Sequence, residues 1–228
     1  MEGNIKNLRM CYIELLDVFD KVCKMNGVTW YMWAGTLLGA IRHGGFIPWD
    51  DDVDVCIHHS YLNKLISAKW PQGYSFGPYN SNMYLLCKNG TTMVNCKDKR
   101  SRRNVSNGLA GVKIDIFPLF DTPDKSGKNI KRCTTLFDKK DKQYPLDCFG
   151  KPKLAKFEGN FYPIPNDTHT LLKIAYGPDY LIPKKQSGHH LHFIDLNHGQ
   201  NEYASGALKI PDKKDFKPTD GEVMFAKE

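Results

Sequence analysis

One stretch of 20 residues limits the fold and the chemistry of this chain more than any other. Residues 35–54 (GTLLGAIRHGGFIPWDDDVD) place a glycine turn and a short helix before a strand that opens with Asp52 and Asp54. Because the side chains of a strand alternate between two faces, these two carboxylates are expected on the same face. Two carboxylates about 4 Å apart repel by roughly 4 kcal/mol at an effective dielectric near 20, so a protein that holds them together usually supplies a cation. An all-oxygen site of this kind suits Mg²⁺ or Mn²⁺.

The order of the predicted elements indicates a mixed α/β or α+β domain. Apolar residues recur at three- and four-residue steps over residues 5–26, which is the pattern of an amphipathic helix. Aromatic and β-branched runs predict buried strands, and glycines or capping residues mark the ends of further helices. The predicted strands cover residues 28–34, 53–57 and 112–117, and the further helices cover residues 36–42 and 60–69 and the segment from Asn166 or Asp167 to Tyr176. A chain of 228 residues can bury one good core, in one domain or in one domain with a small lobe.

Three local patterns lead to separate predictions. Asn89-Gly90 between two alternating runs predicts a hairpin over residues 83–96. Pro118 is expected to end the strand before it, because proline has no N–H to donate. Residues 124–142 are strongly basic and are expected to form a solvated loop with a helical end.

Charge and cysteine content narrow the class of protein and its compartment. The net charge of +7 fits an anionic ligand, such as a nucleotide, an acidic polymer or an anionic membrane surface, and equally a basic surface with no special partner. The seven cysteines are odd in number and show no C-x-x-C spacing, which favours reduced, mostly buried thiols in a cytoplasmic protein. The sequence has no signal-peptide pattern and no run of 18 apolar residues, so no transmembrane segment is expected.

Three groups of residues are expected to meet in one site. Gly35 and Thr36 open a helix, with Thr36 as its N-cap, and exposed N–H groups there form an anion site. Asp52 and Asp54 begin the next strand, and Asp115 lies inside the apolar run VKIDIFPL. A carboxylate in such a run costs several kcal/mol of desolvation unless it is paired or near a metal, so a neighbouring strand is expected to bring it beside the other two. Three acids and one anion site fit Mg²⁺-dependent phosphoryl or nucleotidyl transfer, in which one acid takes the proton of the attacking hydroxyl.

These residues resemble the LicD family of phosphocholine transferases, which is related to the fukutin-type ribitol-phosphate transferases. The resemblance covers roughly residues 5–183, including the leading helix and the strand VTWYMWAG. Its most specific parts are GTLLGAIRH (35–43), GFIPWDDDVD (45–54), IDIFPL (114–119), FYPIPN (161–166) and Tyr176-Gly177.

The resemblance implies a fold and a reaction. The fold is a nucleotidyltransferase-type core, a short mixed sheet with flanking helices, in a catalytic domain of residues 1–183; residues 184–228 are left as a polar extension of unknown role. The reaction is transfer of phosphocholine or a similar phospho-alcohol to the hydroxyl of a glycan or glycolipid. The implied donor is a CDP-alcohol, such as CDP-choline or CDP-ribitol.

The resemblance also assigns roles to the site residues. Asp52 and Asp54 become ligands of Mg²⁺ or Mn²⁺, and Asp115 becomes either the third ligand or the general base. Gly35 and Thr36 become contacts of the donor phosphate. Arg42 becomes a phosphate or pyrophosphate contact, since a guanidinium pairs bidentately with such oxygens.

Other interpretations stay open from the sequence. The same fold would also serve nucleotide transfer to a nucleic-acid or protein acceptor, with RNA or DNA held by the basic loops at residues 97–103 and 124–142, although the main interpretation expects no nucleic acid. A non-catalytic module would keep the acids for metal or glycan recognition. Asp115 is alternatively a plain buried acid, and Arg42 a structural ion pair. A glycolipid acceptor is compatible with peripheral contact at a membrane surface.

Overall fold

Helices combine with a mixed sheet in this chain, which confirms the predicted α+β class. The computed structural model describes residues 2–48, 50, 52–91, 93–95, 111–123, 130–135, 142–183, 192–194 and 223–225. The helices are α1 (Glu2–Met25), α2 (Ala34–His43), α3 (Leu62–Ile66) and α4 (Thr168–Tyr176), with 3-10 turns at His59–Tyr61 and Leu146–Cys148. The strands are β1 (Trp30–Met32), β2 (Asp54–His58), β3 (Tyr74–Asn80), β4 (Met83–Lys88), β5 (Met93–Asn95), β6 (Val112–Pro123), β7 (Ile130–Thr135), β8 (Tyr144–Pro145), β9 (Lys153–Phe157), β10 (Asn160–Ile164), β11 (His192–Ile194) and β12 (Val223–Phe225).

A parallel pair of strands lies in the middle of the main sheet. Within the described residues this sheet has seven strands, in the order β1-β2-β6-β4-β3, with β7 paired to β6 and β8 paired to β7. Strands β2 and β6 run parallel, and Asp54 stands opposite Asp115 in their register. The neighbouring pairs, β1 with β2 and β4 with β6, are antiparallel. This arrangement places the start of β2 beside the middle of the long strand β6.

Alternation along these two strands separates two apolar clusters. Val55 and Ile57 of β2 join the cluster covered by α1, whereas Cys56 belongs to a second cluster with Phe117 and Leu119 of β6. Asp54 and Asp115 differ by two residues from Cys56 and Phe117, so they share the face of the second cluster. Among the cysteines whose side chains are described, all six are free thiols and five are buried, which confirms that part of the prediction.

The predicted first helix is confirmed as α1, and it also holds the loop before the acidic strand. From Leu8 onward its apolar stripe is buried, and Leu15 and Phe19 are fully so. Arg9 lies 5.1 Å above the centre of the Phe46 ring and donates to the carbonyl oxygens of Ile47 (3.4 Å) and Pro48 (3.2 Å). The helix therefore fixes the backbone that leads into Asp50.

Two strand predictions were wrong for a shared reason, which is pairing with distant strands. Strand β4 pairs with β3 and β6, while the segment after Asn89-Gly90 gives β5, which pairs with β11 instead. Pro118 does not end β6. Along β6, the pairing with β4 reaches Ile116 and the pairing with β7 begins at Leu119, so Pro118 falls in the gap between them. A missing N–H costs little at a position between two ladders.

Two helix predictions also need correction, and one is confirmed. Residues 130–135 form strand β7, not the predicted helical end of a basic loop, and the flanking residues 124–129 and 136–141 lie outside the described part. The helix predicted over 60–69 is shorter, a 3-10 turn followed by α3. Helix α4 matches its prediction, since the Asp167 side chain accepts from the Thr170 N–H (3.1 Å) as its N-cap.

The glycines of the 35–54 block allow α2 to pack tightly against the loop that follows it. Gly44 adopts a left-handed conformation (φ 69°) and closes α2 by donating to the carbonyl of Gly39. A Cβ on Gly39 would lie 2.5 Å from the Gly45 carbonyl oxygen and 3.3 Å from the Ile47 nitrogen. The turn between β9 and β10 also contacts this loop, because the Phe46 N–H donates to a Glu158 carboxylate oxygen (2.9 Å).

Gly39→Ala tests this close packing, because the packing decides whether the substitution raises or lowers the free energy of unfolding. In an open helix, alanine is more stable than glycine by about 1 kcal/mol. Here the added methyl meets backbone, and overpacking typically costs about 1–3 kcal/mol, so we expect a net loss in the free energy of unfolding. Denaturant unfolding of both proteins measures the difference, and a variant as stable as the wild type or more stable would contradict the packing described.

The C-terminal segment contributes two short strands to the described structure. Strand β11 pairs with β5, and β12 pairs with β9. The division into a catalytic domain of residues 1–183 and an extension of residues 184–228 stays a prediction. In the part of the chain that is described, no helix has both the length and the apolar character needed to cross a bilayer.

Candidate active site

The parallel pairing of β2 and β6 brings the predicted acids together. Asp54 and Asp115 are register partners, and the Asp115 N–H donates to the Val53 carbonyl (2.8 Å) just before β2. Asp54 is buried, with 9% of the residue exposed, and the side chain of Asp115 is 15% exposed. Asp52 precedes Asp54 by two residues and interacts electrostatically with both. The structure therefore brings all three predicted acids into one region of the sheet.

A fourth carboxylate, that of Asp50, extends this group to the start of α2. A Cβ on Gly35 would lie only 2.6 Å from the Asp50 Oδ2 atom, so glycine is what allows this approach. Asp50 and Asp52 are joined by a side-chain hydrogen bond. The positive end of the helix dipole stabilises a carboxylate at this position. The side of Gly35 on which a Cβ would stand thus lies against a carboxylate of the chain itself.

Lys113 supplies a positive charge inside the acidic group. It precedes Asp115 by two residues on β6, so both side chains lie on the same face, and its ammonium forms an ion pair with the Asp115 carboxylate. Burial by itself would lower the pKa of Lys113, but Asp115, Asp52 and Asp54 together raise it. One ammonium offsets only part of the negative charge of four carboxylates.

The pKa values of the acids reflect this excess of negative charge. Burial, with further contributions from Asp50 and Asp115, raises the pKa of Asp52 from 3.8 to about 7. Burial, followed by the charges of Asp52, Asp115 and Asp50, raises the pKa of Asp54 well above its ordinary value. Removing water and placing like charges together both disfavour the ionised form. A divalent cation would relieve the repulsion, and the all-carboxylate donor set fits Mg²⁺ or Mn²⁺.

The raised pKa of Asp52 predicts an unusual dependence of stability on pH. Between pH 3.8 and about 7 the native state retains a proton on this carboxyl that the unfolded chain has released. The free energy of unfolding of the metal-free protein should therefore fall as pH rises through this range. Asp52→Asn should lessen the fall, measured as melting temperature against pH in the presence of a chelator.

The matched control is Asp147→Asn, which removes an exposed carboxyl outside the site. It should keep the wild-type dependence on pH. An Asp52→Asn variant with the same slope as the wild type would refute the electrostatic strain inferred at the site.

Thr36 and Arg42 have contacts that the sequence did not predict. Helix α2 begins at Ala34 with Trp33 as its N-cap, so the prediction of Thr36 as N-cap was wrong. The Thr36 hydroxyl oxygen is buried and accepts from the Asp54 N–H (2.8 Å), which fixes the start of β2. Arg42 is buried in the last turn of α2 and donates to the Tyr180 carbonyl (3.1 Å). Burial lowers the pKa of Arg42 to about 10, although Tyr176 and Asp50 act in the opposite direction.

A small cavity adjoins the acidic group at the start of α2. Its volume is about 100 Å³, and its wall is mainly apolar and aromatic, with Trp33, Ala34, Leu37, Lys142, Tyr144, Leu171, Leu172, Ala175 and Tyr176 as lining residues. The rings of Trp33 and Tyr144 meet edge to face, with centroids 4.9 Å apart. Burial and the carboxylates of Asp54, Asp50 and Asp52 raise the pKa of Tyr176, so its phenol links the cavity to the acids.

Lys113 and Tyr176 were not assigned to the site from the sequence. The spacing of Lys113 and Asp115 in a predicted strand was a usable signal, because residues two apart share a face. Tyr176 stands 61 positions beyond Asp115, at the end of α4, and no local pattern connects it to the acids. A further group of donor atoms, from His58, His59 and Asp121, lies at the other end of β2 and could hold a metal ion.

The region that contains these acids matches a known protein family. A sequence profile of the LicD/FKTN/FKRP nucleotidyltransferase domain matches residues 27–167, from the turn after α1 to the N-cap of α4. The chain belongs to the LicD family. Every site residue predicted from the sequence falls inside the matched region, and the resemblance noted there is confirmed.

Individual relatives within the LicD family are named as phosphotransferases. The chain is 37% identical to the lipopolysaccharide cholinephosphotransferase LicD of Haemophilus influenzae over 64 residues, which are 28% of this chain and 24% of that protein. It is 28% identical to the ribitol 5-phosphate transferase FKRP of Homo sapiens over 158 residues, which are 69% of this chain and 29% of that protein. The FKRP of Mus musculus is 27% identical over the same length. The chain thus matches less than a third of the length of each of these relatives.

Proposed function

We propose that this LicD-family chain transfers a phospho-alcohol, phosphocholine or a similar group, from a CDP-activated donor to a glycan hydroxyl. The observation that carries the proposal is the group of carboxylates from Asp50, Asp52, Asp54 and Asp115, at the start of α2. The names of the matched relatives, a cholinephosphotransferase and a ribitol 5-phosphate transferase, support the same reaction class.

The acids are the proposed ligands of Mg²⁺ or Mn²⁺. Asp115 stands beside Asp54 in the register of β2 and β6, and Asp52, two residues before Asp54, interacts electrostatically with both. When bound, the ion would join these carboxylates to donor phosphate oxygens and offset the negative charge that grows on them. Lys113 is a second source of positive charge, and its ammonium can turn from Asp115 to a phosphate oxygen within the same pocket.

Backbone N–H groups at the start of α2 are the proposed contacts of the donor phosphate. The first N–H groups of a helix have no partner four residues earlier, so those of Gly35 and Thr36 can face an anion. The Thr36 side chain is already used to hold Asp54, which leaves its backbone for this contact. Arg42 is proposed to contribute positive charge near Asp50 while its Tyr180 contact fixes its position.

The aromatic cavity favours a methylated ammonium group over a polyol as the transferred alcohol. Trp33, Tyr144 and Tyr176 line the cavity, and Tyr176 also interacts electrostatically with the acids. Aromatic rings of this kind attract a quaternary ammonium through cation–π interactions. Ribitol would need partners for several hydroxyl groups, and an apolar wall offers few of them. We therefore rank phosphocholine above ribitol phosphate as the group transferred.

The proposed reaction is an exchange at the phosphorus atom of the transferred group. The acceptor hydroxyl oxygen forms a bond to this phosphorus, the bond from phosphorus to the bridging oxygen breaks, and CMP leaves with that oxygen. The hydroxyl proton passes to a carboxylate, for which Asp115 is the candidate if it is not a metal ligand.

Donor binding and turnover test the proposal separately. CDP-choline with Mg²⁺ should raise the melting temperature, by the equivalent of about 2.7 kcal/mol at a hundredfold excess over Kd, and should do so more than CDP-ribitol or ATP. Turnover is followed as CMP release with glycan acceptors. Asp54→Asn should lower turnover by about a thousandfold or more while the protein still folds. Asp147→Asn should leave turnover unchanged.

Other outcomes would point to the alternative functions. Stabilisation by CTP or ATP alone, with an affinity for RNA that falls steeply with salt, would favour a nucleotidyltransferase acting on nucleic acid. Donor binding without CMP release for any acceptor would favour a binding module. Asp115→Asn separates the two roles of that residue, because a ligand variant loses Mn²⁺ affinity and a base variant keeps it.

A further inference from the structure

A group of three metal-ligating side chains lies at the end of the β2–β6 pair opposite to the acids. His58 ends β2, His59 begins the 3-10 turn that follows, and Asp121 belongs to β6. One ligand atom from each of the three lies within 4.8 Å of the others. His58 is four residues along β2 from Asp54, a distance of about 13 Å in a strand, so this group is separate from the acidic site.

We propose that His58, His59 and Asp121 bind a transition-metal ion of the Zn²⁺ type, with a fourth position open to water or a ligand. Two imidazoles and one carboxylate are a donor set that suits Zn²⁺ and similar ions, whereas Mg²⁺ prefers oxygen alone. The proposal does not depend on the transferase function, since none of the three residues contributes to the acidic group.

The spacing of the donor atoms already resembles that around a tetrahedral ion. His58 Nε2 and an Asp121 carboxylate oxygen are 3.1 Å apart. Two ligands held at about 2.0–2.1 Å by one tetrahedral ion are about 3.3 Å apart. A slight increase in the distance between His58 Nε2 and the Asp121 oxygen would therefore let both bind one ion.

Neighbouring groups hold the two histidines in place. The other ring nitrogen of His58, Nδ1, accepts from the Ser60 N–H (3.4 Å) and lies 2.7 Å from the Ser60 hydroxyl oxygen. When Nε2 binds a metal, Nδ1 carries the ring hydrogen and can donate it in a hydrogen bond to that hydroxyl oxygen. The His59 ring stacks on Phe120, with centroids 5.1 Å apart and planes 17° apart. Because the side chains of His58 and Asp121 are 33% and 32% exposed, an ion can enter from solvent without any movement of the core.

The bound ion would fasten the turn after β2 to strand β6. Without it, the His58–Asp121 pair and the stacking of His59 on Phe120 join the end of β2 and the following turn to β6. A metal would add bonds from His59 and would fix the far end of the strand that carries Asp54. We therefore expect the ion to stabilise the folded protein.

Cobalt titration of the tag-free chain tests the proposal, in an Asp54→Asn background that weakens the acidic site. Co²⁺ should give the visible absorption of a tetrahedral or five-coordinate site, and Zn²⁺ should displace it and raise the melting temperature, whereas Mg²⁺ should do neither. His59→Gln and Asp121→Asn should each weaken binding by about 100-fold or more, as expected for loss of a ligand.

Two matched variants separate this site from other donors in the chain. His169→Gln and Asp147→Asn change the same residue types outside the group and should leave the cobalt spectrum unchanged. Four further histidines lie at positions 189, 190, 192 and 198, so binding that persists in His59→Gln and Asp121→Asn would assign the metal elsewhere and overturn the proposal. A wild-type chain that binds neither Co²⁺ nor Zn²⁺ would overturn it as well.

Discussion

The parallel hydrogen-bonded pairing of β2 with β6 is the constraint on which the site depends. It places Asp54 opposite Asp115 and carries Lys113 to the same face two residues earlier. The pairing is itself held by a buried contact, because Thr36 of α2 accepts the N–H of Asp54. Helix α2 and the start of β2, which carries Asp54, therefore hold each other in place. A shift of one residue in the register would turn Asp115 to the opposite face of the sheet.

The acidic group is unfavourable to the fold when no metal is present. Four carboxylates share a partly buried region with one ammonium, and the pKa values of Asp52 and Asp54 are raised as a result. Such strain is tolerated because the clusters on both faces of the sheet, together with α1, hold the strands in place. Concentrated negative charge beside a helix start, with an aromatic cavity next to it, is what the proposed CDP-alcohol donor and its proposed metal ion would require.

Local sequence patterns predicted the helices that are marked by their own apolar period or capping residue. They also predicted that the acids would lie together, because a carboxylate is not buried without a partner. Helix α1 followed from its apolar period, and α4 followed from its Asp167 cap. The approach of Asp115 to the other acids followed from the cost of a lone carboxylate in an apolar strand. The family profile and the relatives confirmed the resemblance carried by residues 35–54.

The rest depended on contacts between distant residues. Asn89-Gly90 has the chemistry of a hairpin turn, but β4 gains more by pairing on both sides, with β3 and β6. Pro118 fits inside β6 only because the pairing with β4 ends before it and the pairing with β7 begins after it. Thr36 was predicted as an N-cap because threonine is common at that position. Its hydroxyl instead accepts a hydrogen bond from Asp54, the first residue of β2, 18 positions along the chain. Tyr176 enters the site through the end of α4, which no single window of sequence reveals, whereas the spacing of Lys113 and Asp115 was a local signal that could have placed Lys113 there.

Anomalous diffraction from crystals grown with Mn²⁺ and CDP-choline tests the central claim most directly. The account predicts a manganese peak within bonding distance of the Asp52 and Asp54 carboxylates, with the donor phosphates on its other side near the start of α2. Bound donor with no manganese at these carboxylates, or manganese and donor at a different face of the sheet, would contradict it.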